Sequence, residues 1–235
     1  MKRYPHLFTL LALTVFSACS SNEIGESKDV NQDKIYLQYY ISHTEGAHDV
    51  DVKCTFRFAG QNGTTLVLSP GSTVELDGEK MKADSGFASG AYYKIRKPIG
   101  SFYGNHTIRF TDINGRKFEN SFNFDPVSLN IPPEADRKKD LRITYRTGVV
   151  GRDDYFDVRH VDTAGYFRYS LPVKDSAIVI PAKDLLAVKG DVLEFDCSLV
   201  RDVMLQQRTP EGGILTISQV LRPVRIKLLP STNRE

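Results

Sequence analysis

Apolar and polar residues alternate with a period of two through most of the chain from residue 34 onward. IYLQYYI puts Ile35, Leu37, Tyr39 and Ile41 on one face of a strand, and VDVKCTFRF alternates from Val50 to Phe58 with Asp51, Lys53, Thr55 and Arg57 outward. GQNG at 60–63, SPGS at 69–72, Asp77-Gly78 and Asn114-Gly115 punctuate these runs, and an Asp-Gly or Asn-Gly pair supplies the positive φ that a tight hairpin needs. Beyond Pro126 the same grammar returns in LRITY (141–145), YFDVRHV (155–161), YFRYSL (166–171), AIVI (177–180), LEFDCSLV (193–200) and ILTISQVLRPVRIKLL (214–229). The helical signal in this half is PAKDLL at 181–186, with proline in the first position. Pro126 and Pro132-Pro133 bracket SLNI, and prolines that cannot extend a ladder mark a domain boundary near residue 127. The expected fold class is therefore all-β, with one sandwich over 34–126 and a second over 127–235.

The start of the chain reads differently. Lys2 and Arg3 precede an apolar run from Leu7 to Phe16, then small residues at Ser17-Ala18, which is the layout of a cleaved secretory signal over 1–18. The run is too short to span a bilayer, which takes about 20 residues. Cys19, directly after Phe16-Ser17-Ala18, resembles the lipobox cysteine of bacterial lipoproteins. That resemblance implies diacylation of Cys19 and a membrane tether through its lipid, since a second acyl chain turns marginal attachment into a stable one. Residues 19–33, poor in large apolar side chains, are expected to form a flexible leash.

YGNHTIRFTDINGRKFENSFNF, 103–124, resembles the closing hairpin of bacterial immunoglobulin-like domains through Gly104, Ile108, Phe110, Thr111-Asp112 and Gly115. His106 stands where that pattern carries the tyrosine of a tyrosine corner, so it is expected to pack inward and bond backbone in its place. Taken with the lipobox-like cysteine, the chain resembles Bacteroidota outer-membrane lipoproteins built from tandem immunoglobulin-like β-sandwiches. The resemblance implies a lipid-anchored location in the cell envelope, at the outer membrane on its periplasmic or surface face. It implies no particular activity.

Charge narrows the partners. Removing 1–18 takes Lys2 and Arg3 from 31 basic residues and nothing from 29 acidic ones, which leaves the processed chain formally neutral. DRKKDLR at 136–142 mixes both signs, so no nucleic-acid footprint is present. Cys54 and Cys197 sit among apolar residues of two different strands and are expected to be buried thiols in separate cores.

Candidate chemistry is sparse. His43 and His48, with Glu45, Asp49 and Asp51, crowd one turn, but their spacing matches neither a zinc nor a calcium motif, so no metal or other cofactor is expected. Asp153, Asp154 and Asp196 are acids without a recognisable catalytic partner. Tyr92, Tyr93, Phe102 and Tyr103 are the candidate ligand-binding residues, because aromatic rings on a sheet stack on sugars. The leading expectation is a non-catalytic interaction or structural protein of the envelope with a protein or glycan partner; glycan binding and, less favoured, hydrolysis stand beside it. The final run is long for one strand. It is expected to pair first with 193–200 and, after Pro223, either to change sheets through a bulge or to lie as an edge open to a partner strand.

Overall fold

The structure, a computed structural model, describes residues 24–86, 90–148, 151, 153–161, 166–173 and 177–230. In its first half the alternating runs form β1 (Ile24–Glu26), β2 (Ile35–Thr44), β3 (Asp49–Phe58), β4 (Thr64–Val67), β5 (Thr73–Leu76), β6 (Glu79–Lys80), β7 (Lys82–Gly86), β8 (Gly90–Pro98), β9 (Gly104–Thr111) and β10 (Lys117–Phe124). β7, β8, β3 and β2 lie side by side in one layer, and β10, β9, β5 and β6 form the layer that faces it. The inward residues read from the sequence all meet between them: Ile35, Leu37, Tyr39, Ile41, Val50, Val52, Cys54 and Phe56 are fully buried, with Val74, Ile108 and Phe110 opposite. The rings of Phe56 and Phe110 approach to 4.5 Å between centroids across the two layers. Asp77 and Gly78 both take positive φ, 51° and 83°, and close a two-residue hairpin between β5 and β6 as expected. The Asn114-Gly115 turn closes otherwise. Asp112, almost wholly buried, accepts the amides of Asn114 and Arg116 on one carboxylate oxygen, and of these turn residues only Gly115 has positive φ.

The second half contains β11 (Ser128–Asn130), β12 (Glu134–Asp136), β13 (Leu141–Arg146), β14 (Tyr155–Val161), β15 (Tyr166–Pro172), β16 (Ala177–Ile180), the helix α1 (Ala182–Ala187), β17 (Val192–Met204), β18 (Gly213–Val220) and β19 (Val224–Leu229). Strands β15, β14, β17, β19 and β12 form one layer and β11, β13 and β16 the other. Ile143, Phe156, Val158, Ile178, Leu193, Cys197 and Ile226 fill the core between them, closed at one end by Leu185 of α1. Ala182 N–H donates to Asp140 Oδ1, so the helix is capped from outside while Pro181 stands just ahead of it. The molecule is all-β, with two sandwiched cores, and the two thiols lie one in each.

The residues of the second half do not all serve the second core. β18 runs parallel to β2, pairing Gly213 with Leu37 through Val220 with Thr44, and its Leu215 and Ile217 are buried in the first core beside Leu205. β17 is long enough to serve both, with Leu193 to Leu199 in the second core and Val203 against the first. The expected pairing of the first half of the final run with 193–200 holds only at Ser198–Val200: β18 pairs with Ser198–Met204, displaced toward the end of β17, and β19 pairs with Val192–Phe195. Between Val220, opposite Ser198, and Val224, opposite Phe195, four steps on one strand meet three on the other. The extra residue is a bulge at Leu221–Pro223, placed where proline need not donate to the ladder. β19 has β17 on one side and β12, over Lys227–Leu229, on the other, so it is not an open edge. One sheet thus passes without interruption from the first sandwich into the second through β2, β18, β17 and β14.

The expected leash also differs. Residues 19–23 lie outside the described residues, but 24–33 are built into the fold: β1 pairs in parallel with β4. Ser27 Oγ accepts the Ser69 amide at 2.8 Å, Gln32 Nε2 donates to the Ser27 carbonyl at 2.6 Å, and the Glu211 amide donates to the Asp33 carbonyl. The segment is held largely by the hydrogen bonds of buried Ser27 and Gln32, with Val30 its one large apolar contact with the core, and for that reason composition did not reveal it.

Candidate recognition surface

The four candidate rings do not form one platform. Tyr93 and Phe102 are buried in the first core, where Tyr93 Oη accepts the Leu68 amide and Phe102 stacks on His106 with centroids 3.9 Å apart. Tyr92 stands on the outer face of β8 beneath Lys53, whose Nζ lies 4.2 Å from the ring centroid. Burial, followed by the neighbouring Arg57, holds the Lys53 ammonium below the usual lysine range. Tyr103 is half exposed, but it precedes β9 in the opposite layer and lines a cleft of about 60 Å³ with His43, Phe124 and Val127. Cys19 lies outside the described residues.

The polar candidates are occupied by structural work. His106 packs inward and bonds backbone: Nε2 donates to the Phe102 carbonyl at 2.7 Å, and Nδ1 lies 2.7 Å from Asp77 Oδ2, whose other oxygen accepts the Thr107 amide. His43 bonds the Ala47 carbonyl and His48 pairs with Asp49 on an exposed turn, and no group of three potential metal ligands gathers among the described residues. Asp154 is buried against Arg201, Nε to Oδ2 3.1 Å, while Asp153 is exposed. Asp196 is exposed on the rim of a polar cleft of about 320 Å³ with Lys189, Arg159 and Glu194, but Glu194 is paired with Arg225 and Arg159 with Asp157.

A different surface emerges from the register. Tyr40 on β2, Thr216 on β18 and Asp202 on β17 stand in one row across the uninterrupted sheet, on its outer side. The next row holds Ser42, Ser218, Val200 and, on β14, Tyr155; on the other side Gln38, Ile214 and Met204 form the neighbouring row, beyond which Tyr36 lies over Gly212. Met204 and Tyr40 are the most open of the large apolar and aromatic side chains here, at 76% and 41% exposure. Thr216 Oγ1 donates to Asp202 Oδ1 at 2.6 Å, and among the described residues no cation pairs with that carboxylate. Partial burial, and then the Asp202 charge, push the Tyr36 and Tyr155 phenols above the ordinary tyrosine range, so both remain neutral hydroxyls near one carboxylate. Cations border the patch along β3, where Arg57 is opposite Tyr36 and Lys53 opposite Tyr40.

Sequence reasoning weighed aromatic pairs and passed over these rings. Tyr36 and Tyr40 are the outward positions of IYLQYYI once Tyr39 is inward, so half of the signal was present. Their meeting with Asp202 and Tyr155 depends on the parallel β2–β18 pairing, which joins segments almost the whole chain apart. Compared with known proteins, the chain matches no family model and none of the curated proteins.

Proposed function

We propose that this chain is a lipid-anchored, non-catalytic protein of the cell envelope that binds a partner through the outer face of its uninterrupted sheet. The observation that carries the reading is the patch of Tyr36, Tyr40, Ile214, Met204 and Tyr155 around Asp202, an amphipathic surface with one acid at its centre. Tyrosine and methionine are the residues enriched where proteins recognise partners, because they offer large contact area with a polar tip. The anchoring part rests on the lipobox-like Cys19 and the signal ahead of it. Because β1 (Ile24–Glu26) lies only a few residues beyond that cysteine, the first sandwich would sit close to the membrane surface.

Two measurements test this reading. Cys19→Ser should abolish labelling by palmitate and move the protein from the membrane fraction to the soluble envelope fraction. A photo-crosslinking residue placed at position 204 in membranes should give an adduct that the same group at position 79, on the exposed β6 hairpin, does not. Unchanged fractionation would overturn the anchor, and absence of any position-204 adduct would overturn the recognition face.

A further inference from the structure

We infer that the patch around Asp202 is a binding site for a neutral oligosaccharide. The inference rests on the recognition face proposed above and names its ligand. Its argument is one of charge and hydrogen-bonding capacity. An anionic ligand would meet the Asp202 carboxylate at the centre, and a polycationic one would meet Arg57 and Lys53 of β3 along the side. A ligand without net charge meets neither penalty. It can also donate to the carboxylate, which among the described residues accepts a side-chain hydrogen bond from the Thr216 hydroxyl, and an ionised carboxylate can accept several donors.

A sugar matches this inventory. Its hydroxyls would donate to Asp202 and exchange hydrogen bonds with the Tyr36, Tyr40 and Tyr155 phenols and the Gln38 amide, while its C–H faces would lie on the tyrosine rings, Ile214 and Met204. Tyr36 and Tyr155 are suited to this because their bodies are already partly buried, so little side-chain freedom is left to lose on binding. Tyr36 and Tyr40 lie four residues apart on β2, about 13 Å along the strand, and β14 lies three strand spacings from β2, about 14 Å across the sheet. The patch is therefore the size of a chain of several sugar units and larger than a monosaccharide. Only Met204 and Tyr40 are strongly exposed large side chains here, so the surface is shallow, as suits a polymer passing over it rather than a molecule enclosed by it.

Affinity electrophoresis through native gels cast with starch, β-1,3-glucan, xylan, galactomannan, α-mannan or hydroxyethyl cellulose tests the assignment. At least one polymer should slow the wild-type protein, and Tyr40→Ala and Asp202→Ala should each weaken that retardation at least tenfold. Tyr103→Ala, outside the patch, should not. Circular dichroism melts should show both patch variants folded; a variant that does not fold is replaced by Tyr40→Ser or Asp202→Asn. Retardation by none of the polymers, or retardation equal in wild type and patch variants, overturns the inference. The crosslink at position 204 separates this failure from that of the wider reading: a protein adduct there, with no polysaccharide retardation, keeps the recognition face and eliminates the sugar, whereas no adduct together with no retardation eliminates both.

Discussion

At the scale of single residues, the first core holds one side chain that works against it. Tyr39 is fully buried and its hydroxyl has no hydrogen-bond partner, a state that costs about 1–3 kcal/mol when water is excluded. Burial, and to a lesser degree nearby Cys54, push that phenol well above the tyrosine range, so ionisation offers no relief. Tyr39→Phe keeps the ring and deletes the orphaned oxygen, and it is expected to raise stability by about 1 kcal/mol, read as a higher urea midpoint at unchanged slope. The thiols make a second test. Burial raises the Cys54 thiol far above its ordinary range and pushes Cys197 up to about 12, with Asp157 adding to the latter. Thiolate is the reactive form, so neither cysteine should be alkylated by iodoacetamide at pH 8 in the folded protein, and both should be within minutes in 6 M guanidinium. Alkylation of the folded protein at either position would show that its core opens on that timescale.

At the scale of elements, the decisive contact is the parallel pairing of β2 with β18. Gly213 opens β18 with its backbone pressed against the first sheet: a Cβ there would stand 2.4 Å from the Leu37 carbonyl oxygen and 2.5 Å from Leu205 Cδ1. The obstacle includes backbone, which cannot rotate away, so Gly213→Ala should destabilise by about 1–3 kcal/mol or more, the ordinary cost of overpacking. Hydrogen exchange should locate the damage in β2 and β18, with β13 and β16 left protected. Equal loss of protection in both sandwiches would mean that the long strands transmit the strain instead of absorbing it at the Leu221–Pro223 bulge. Register in β18 was legible as alternation, but its neighbour was not, because hydrophobic pattern specifies which face is buried and leaves the partner strand open.

At the scale of the whole molecule, two cores are tied by strands that belong to both. Leu205, Leu215 and Ile217 reach the first core from beyond residue 200, and burying three such side chains contributes about 5–9 kcal/mol, comparable with the whole stability of a domain. A fragment ending at residue 126 is therefore expected to aggregate or remain unfolded, since it also leaves β2 without its β18 neighbour. Joining residues 200–222 to that fragment through a flexible linker should restore a monomer with a cooperative melt, measured by size-exclusion chromatography and circular dichroism. If the 24–126 fragment folds alone, the contribution of β18 is dispensable. The prolines near residue 127 led the pattern to be read as a boundary there; the return of β18 to the first core was not legible, because no local signal distinguishes a strand that pairs nearby from one that crosses back.

Sequence alone determined what depends on nearest neighbours along the chain: the all-β class, the inward faces of β2 and β3, the positive-φ turn at Asp77-Gly78, the buried thiols, and the inward-packed histidine at position 106. Those follow from side-chain alternation and backbone sterics, which act over a few residues. Tertiary structure alone decided that Tyr93 and Phe102 are interior, that Ser27 and Gln32 bind the 24–33 segment to the fold, and that Tyr36, Tyr40, Tyr155 and Asp202 share one surface. Each of these depends on which strands pair across long stretches of chain, a choice made by the summed burial of two cores and written in no single segment.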